Sequence, residues 1–194
     1  MINLLTPGIA LHNRYRIVRL VAQGGMSTVY EAYDLSLNRR CVIKENLDTS
    51  PQAQQQFQQE AVLLANLSHP HLPRVTDHFI APGGRQYLVM DLVEGQDLDE
   101  MLSAASRPLP EAQVLAWAAQ VMDALEYLHG QQPPVIHRDI KPANVKITPA
   151  GKAVLVDFGI AKRHVRGQPT MTGARAYTPG YAPFEQYMST GQTD

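Results

Sequence analysis

The sequence predicts an α+β protein in two parts, a first part of five strands with one helix and a second that is mainly helical. Three observations carry that expectation. β-prone segments punctuated by glycine and proline fill most of the first ninety residues. A single amphipathic stretch interrupts them at helical spacing. After Gly95 the pattern becomes mainly helical, and only two short β runs return.

The elements follow in order. Tyr15–Ala22 and Thr28–Asp34 flank Gly24-Gly25, the pattern of a hairpin. Arg39–Leu47 makes a third strand around Cys41-Val42-Ile43. Pro51–Leu67 changes period: Phe57, Ala61, Leu64 and Leu67 share one helical face, opposite a glutamine-rich face that reads as solvated. Two more strands, Arg74–Ile80 and Arg85–Val93, are separated by a Pro82-Gly83-Gly84 turn. A short helix over Leu98–Ala105 is closed by Pro108 and Pro110. A longer one spans Glu111–His129, where Val114, Ala118, Val121, Leu125 and Leu128 form a 4-3-4-3 stripe broadened by Leu115, Trp117 and Met122. A helix this apolar is expected in the core. Beyond Pro133-Pro134 lie the short β runs Val145–Thr148 and Ala153–Val156, joined by Pro149-Ala150-Gly151. From Lys162 to Gly180 periodicity is lost, which reads as a long functional loop.

The 194 residues suffice for one sizeable domain or two small lobes, and 44% hydrophobic against 18% charged residues is a globular balance. A formal net charge of -1 gives no reason to expect nucleic acid or an anionic membrane as partner. Cys41, the single cysteine, sits in an apolar run and excludes an intrachain disulfide. The first residues lack the basic region and apolar core of a signal peptide, and no stretch reaches the roughly 18 apolar residues of a membrane span. A soluble, cytoplasmic chain is the expectation, with membrane anchoring through a further C-terminal region left open.

The chemistry-bearing positions are few. Lys44 closes a buried strand core, and Glu60 points with Phe57 and Leu64 from the apolar face of the next helix. An inward carboxylate needs a partner, and Lys44 is the candidate. The turn Ala22-Gln23-Gly24-Gly25-Met26-Ser27-Thr28-Val29 suits close approach of backbone N–H groups to phosphates, although a Gly-Gly hairpin alone is more often only a hairpin. His137-Arg138-Asp139-Ile140-Lys141-Pro142-Ala143-Asn144 is far more specific. It packs an acid, a base and an amide into one loop, and Asp157-Phe158-Gly159 begins thirteen residues after Asn144. Asn144 and Asp157 are hard oxygen ligands suited to Mg²⁺. Asp139 can orient and deprotonate a hydroxyl, while Lys141 can neutralise charge on a transferring phosphoryl group.

On these motifs the chain resembles the bacterial, eukaryotic-like serine/threonine protein kinases over residues 12–194. Cys41-Val42-Ile43-Lys44 looks like the family's third-strand lysine motif, and Phe57-Gln58-Gln59-Glu60-Ala61 like its helix-C glutamate segment. Residues 137–144 resemble the catalytic loop, Asp157-Phe158-Gly159 the metal-binding triplet, and Thr178–Glu185 the end of the activation segment. The resemblance implies a protein-kinase-like two-lobed fold, with a five-stranded N-lobe plus helix C and a partial, mainly helical C-lobe. It divides the chain into an N-terminal extension (1–11), the N-lobe (12–90), a hinge (91–96) and the partial C-lobe (97–194).

The same resemblance implies ATP- and Mg²⁺-dependent phosphorylation of protein Ser/Thr hydroxyls, since lysine two places after Asp139 favours Ser/Thr over Tyr. Asp139 would be the base, with Lys141 and Asn144 beside it. Lys44, held by Glu60, would contact the α and β phosphates, and Asn144 and Asp157 would hold the metal. ATP would be met by Ala22, Gln23, Gly24, Gly25, Met26 and Ser27 of the turn, with Val29 and Val42 above the adenine. Met90 looks like the gatekeeper, Asp91 and Val93 would offer hinge backbone groups, and Asp97 would reach the ribose. Lys146 stands at the adenine floor, where the family usually carries an apolar residue; its alkyl stem can cover the ring. Arg138 implies control by activation-loop phosphorylation, with Thr170, Thr172 and Thr178 as candidates. Thr172 is preferred, because Thr178 is expected to bond near Asp139 and Lys141.

Ala22 and Ser27 replace two of the family's glycines, and Phe184 stands where bacterial relatives often carry proline. Family catalytic domains also run on beyond the position of Asp194. The expectation is therefore a chain truncated after the activation segment, without the arginine that pairs with Glu185 and with apolar surface left exposed on residues 111–129. Such a chain is a fragment or oligomerises, and a catalytically impaired nucleotide-binding or scaffold fragment is the alternative reading. Partners would be protein substrates, including itself by autophosphorylation.

Overall fold

The structure is a computed structural model and describes residues 4–24, 27–157, 162, 163, 178 and 180–182. The chain divides into two compact units, residues 1–68 with 74–92, and residues 69–73 with 93–194.

In chain order the first unit holds strands β1 (Ala10–Leu11), β2 (Tyr15–Gln23), β3 (Ser27–Asp34) and β4 (Arg39–Asn46), helix α1 (Pro51–Ala65), and strands β5 (Val75–Ile80) and β6 (Gln86–Asp91). They form one antiparallel sheet in the order β1-β2-β3-β4-β6-β5. The five expected strands are all present. β1 is an addition, because it lies in the stretch expected to be only an extension, and two residues are too short to show alternation. Its pairing Leu11↔Tyr15 brings Leu11 to the edge of the core.

Strand alternation puts Tyr15, Ile17, Tyr30, Ala32, Cys41, Ile43, Phe79, Tyr87 and Val89 in one buried cluster. Phe79 stacks between Tyr15 at 5.6 Å and Tyr87 at 5.1 Å. Burying each such side chain contributes about 1.5–3 kcal/mol, so this cluster is the main source of cohesion in the unit.

Helix α1 starts where the sequence supplies a cap. The Ser50 hydroxyl accepts from the Ala53 N–H at 3.3 Å, and Pro51 occupies the first turn, where no N–H is needed. It buries Phe57, Ala61, Leu63 and Leu64, while Gln52, Gln55, Gln56, Gln58 and Gln59 are exposed. The helix ends at Ala65, two residues before the expected Leu67, because Asn66 folds its amide back onto the Val62 carbonyl at 2.6 Å.

The second unit continues with β7 (Gln96–Asp97), α2 (Leu98–Ala104), α3 (Glu111–His129), β8 (Val135–Ile136), a 3-10 turn over Pro142–Asn144, β9 (Val145–Ile147), β10 (Ala153–Leu155) and β11 (Lys162–Arg163). β9 pairs with β10 on one side and β7 on the other, and β11 pairs with β8. β11 corrects the expectation of a featureless loop from Lys162 onward. The segment His69–Pro73 also packs here: the Leu155 N–H donates to the His71 carbonyl at 2.9 Å, and His71 Nδ1 bonds the Ala153 carbonyl at 2.7 Å.

The burial of α3 differs from its expected stripe. Its buried residues are Trp117, Ala124 and Leu128, so of the five stripe positions Leu128 alone is buried. Polar contacts set the rotation. Trp117 Nε1 donates to the Gly151 carbonyl at 3.1 Å, and Gln120 Oε1 accepts from the Ala153 N–H at 2.8 Å, so the β9–β10 hairpin selects the face. Val114, Leu115 and Met122 remain 42%, 61% and 63% exposed.

Gly95 has φ of 115°, and a Cβ there would run into the carbonyl of Ile147. Only glycine fits. Gly95→Ala is expected to lower the melting temperature by about 5–10 °C, measured by calorimetry; an unchanged transition would show that the close approach to β9 is dispensable. Among the described residues no helix is long and apolar enough to cross a membrane.

Candidate functional site

In the first unit, strand register gathers the expected nucleotide-facing residues on one sheet surface. Ala22 lies opposite Val29, Val29 opposite Lys44, Val42 opposite Met90, and Lys44 opposite Leu88. Alternation then places Ala22, Val29, Val42, Lys44 and Met90 on the same face, away from the aromatic cluster. Lys44 Nζ meets Glu60 Oε1 at 2.8 Å, with side-chain exposures of only 8% and 12%. The pair forms because β4 delivers Lys44 inward and α1 delivers Glu60 from the same stripe as Phe57 and Ala61.

The glycine turn is described at its two shoulders. Gln23 pairs with Thr28, and the Gly24 N–H donates to the Ser27 carbonyl at 2.9 Å. Gly25 and Met26 lie outside the described residues. Asp91 spends its N–H on the Arg74 carbonyl at 2.9 Å and its carboxylate on Arg39 at 2.8 Å.

In the second unit three side chains converge on Asp139 through four bonds. Thr178 Oγ1 donates to Oδ1 at 2.8 Å, Lys141 Nζ donates to Oδ2 at 2.8 Å, and Asn144 Nδ2 donates to Oδ2 at 2.9 Å and to the Asp139 carbonyl at 2.8 Å. Lys141 Nζ also donates to Thr178 Oγ1 at 2.8 Å. The 3-10 turn over Pro142–Asn144 is what folds Asn144 back beneath Asp139. Burial works to raise the Asp139 carboxyl, but the bonds from Lys141, Thr178 and Asn144, with the Lys141 charge, outweigh it and hold the group below the ordinary carboxylate range. His137 is buried and its imidazole is pushed down to about 4, so it is neutral near pH 7. Burial likewise lowers the Arg138 guanidinium.

The Val156 N–H donates to the Asn144 carbonyl at 2.8 Å, which sets Asp157 beside this loop; Asp157 itself is exposed with φ of 62°. With its amide nitrogen donating twice to Asp139, Asn144 keeps its side-chain oxygen as one hard donor, and the Asp157 carboxylate is another. That donor set fits Mg²⁺.

Two expected contacts look different in place. Asp97 is the N-cap of α2: its Oδ1 accepts from the Glu100 N–H at 2.8 Å, and Glu100 returns the bond to the Asp97 N–H at 3.1 Å. Lys146 lies opposite Asp97 in the β7–β9 pair and donates to the Gly95 carbonyl at 3.0 Å. Val93, half-buried, opens the second unit after Leu92. Thr170, Thr172, Phe158, Gly159 and Pro183–Glu185 lie outside the described residues.

One buried group escaped the sequence reading. Glu45, next to Lys44, accepts from Tyr30 Oη at 3.1 Å, Tyr87 Oη at 3.0 Å and Arg85 Nη1 at 3.2 Å. The signal was available, since alternation after Cys41 and Ile43 puts Glu45 on the core face.

A family model described as "Protein kinase domain" matches residues 15–192. The chain is 38% identical over 186 residues to "Serine/threonine-protein kinase PknA" of Mycobacterium tuberculosis, covering 92% of this chain and 42% of that protein. It is 33% identical over 162 residues to "Probable serine/threonine-protein kinase YbdM" of Bacillus subtilis, covering 82% and 62%. Against "Probable serine/threonine-protein kinase PknB" of Lactococcus lactis the identity is 31% over 187 residues, covering 93% and 29%. The chain thus spans less than two thirds of each of these relatives.

Proposed function

Because the chain belongs to the protein kinase domain family, we propose that it transfers the terminal phosphoryl group of ATP, with Mg²⁺, to Ser and Thr hydroxyls of proteins. The observation that carries this reading is the set of bonds joining Asp139, Lys141, Asn144 and Thr178. A carboxylate held ionised by three donors is suited to orient an incoming hydroxyl and to receive its proton late, when the phosphoryl group has largely departed. Lys141, already beside Asp139, supplies positive charge where equatorial phosphoryl oxygens would lie. Bound through Asn144 and Asp157, the metal ion would neutralise phosphate charge.

Lys44, kept in place by Glu60, is the group proposed for the α and β phosphates, and the N–H groups of the glycine turn would support them. Ala22, Val29, Val42 and Met90 offer apolar surface to the base, and the Lys146 stem is the further apolar group proposed for it. Asp91 would use its carbonyl and Val93 its backbone. Asp97, with Oδ1 engaged as a cap, keeps Oδ2 for a ribose hydroxyl.

Purified chain with ATP, Mg²⁺ and a generic basic Ser/Thr peptide tests the proposal. Phosphopeptide formation supports it; nucleotide binding without transfer would overturn it and leave a nucleotide-binding or scaffold module. Arg138 suggests regulation by a phosphate on the following segment. Thr178 is already committed to Asp139 and Lys141, which leaves Thr170 and Thr172. Mass spectrometry of active enzyme is expected to find phosphate on Thr172, and an active enzyme bare at that position would remove it from consideration.

A further inference from the structure

The cluster around Glu45 has no part in the chemistry described so far. A carboxylate buried within a sheet core is costly, and an apolar residue there would serve stability as well or better. Its bonding partners come from three segments, Tyr30 from β3, Tyr87 from β6 and Arg85 from the turn before β6, and Tyr30 Oη in turn accepts from the Leu5 N–H at 3.2 Å. Buried Thr28, in the first turn of strand after the glycine turn, lies directly opposite Glu45. Burial raises the Tyr30 phenol and pushes that of Tyr87 up to about 12, so both stay protonated donors to the carboxylate.

We propose that Glu45 is a positioning residue for Lys44, its buried bonds to Tyr30, Tyr87 and Arg85 fixing β4 from the face opposite the Lys44–Glu60 pair. Adjacent strand residues project to opposite faces, so β4 is pinned from both sides at consecutive positions. Rotation of the strand about this point carries Lys44 away from Glu60. Loosening the Glu45 cluster therefore weakens the phosphate contact without touching any group that meets the nucleotide. The inference rests on the reading of Lys44 as a phosphate contact.

Affinity for a fluorescent ATP analogue, measured on the full chain, tests it. Glu45→Gln is expected to weaken binding about tenfold, the scale of a lost charge-assisted hydrogen bond, and the loss should appear in KM for ATP more than in kcat. The double variant Tyr30→Phe/Tyr87→Phe keeps the apolar packing and should shift affinity the same way, which decides the matter if Glu45→Gln fails to fold. Asp34→Asn serves as the structural control. Asp34 is also buried and paired, with Arg14 at 2.8 Å, but stands at the far end of β3; its loss should lower the melting temperature and leave affinity unchanged. Wild-type affinity in the Glu45 and tyrosine variants, or an equal loss in Asp34→Asn, overturns the inference. Glu60→Gln reports on the premise: if it too binds like wild type, the reading of Lys44 falls, and this inference with it.

Discussion

Asp139→Asn is expected to slow phosphate transfer by roughly 10²–10⁴-fold while leaving nucleotide affinity nearly unchanged. The replacement is isosteric, so the loop keeps its shape, but an amide nitrogen or neutral oxygen cannot stand where an ionised oxygen accepts from Lys141, Thr178 and Asn144. Single-turnover assays separate the chemical step from binding, and transfer retained by this variant would remove Asp139 from the reaction. The pH dependence follows from the direction of the Asp139 shift. Its carboxyl is held below the ordinary range in the folded chain. The stabilisation from its bonds is therefore complete above the unfolded carboxyl pKa of about 3.9, and it is lost as pH falls through the lower folded value. With His137 neutral above about 4, neither group places an acid limb between about pH 5.5 and 8. A rate profile falling steeply near pH 6.5 would contradict this account.

Lys44→Met is expected to damage both stability and binding, and the two can be separated. Removing the ammonium leaves the Glu60 carboxylate nearly enclosed without its partner, a change that costs about 3–5 kcal/mol. Adding Glu60→Gln removes the uncompensated charge and should return most of the lost stability. Nucleotide affinity should not return, because no cation has been restored. Denaturant titration and nucleotide binding on the single and double variants give the comparison. A double variant that recovers both would show that Lys44 serves only the fold.

The residues that define these predictions were legible because the chemistry is concentrated in short spans. Lys44 follows three apolar residues, Glu60 shares a stripe with Phe57, and Asp139, Lys141 and Asn144 occupy one loop. Strands and long helices were legible from their periods, and α3 was found with its expected bounds. What periodicity could not supply was anything decided by a partner. β1, β7, β8 and β11 are two residues each and exist only through pairing. The buried face of α3 is set by bonds from Trp117 and Gln120 to the β9–β10 hairpin, not by its most apolar stripe. Asp97 shows the same limit. Its capping box with Glu100 is a local signal that the resemblance overshadowed.

The membership of His69–Pro73 in the second unit bears on how this chain is made and cut. Synthesis delivers the amino end first, and every strand of the first sheet has emerged once Asp91 is out. The groups that hold His71 come much later: Ala153 lies 82 positions further along. A nascent chain halted after Leu92 would therefore carry a finished sheet interrupted by a loop whose partners have yet to be translated. No single scission can divide the protein into two self-contained pieces, since a break after Leu92 leaves part of the second unit attached to the first. Split versions of this chain are expected to require reassociation of both halves before β10 regains its His71 contacts.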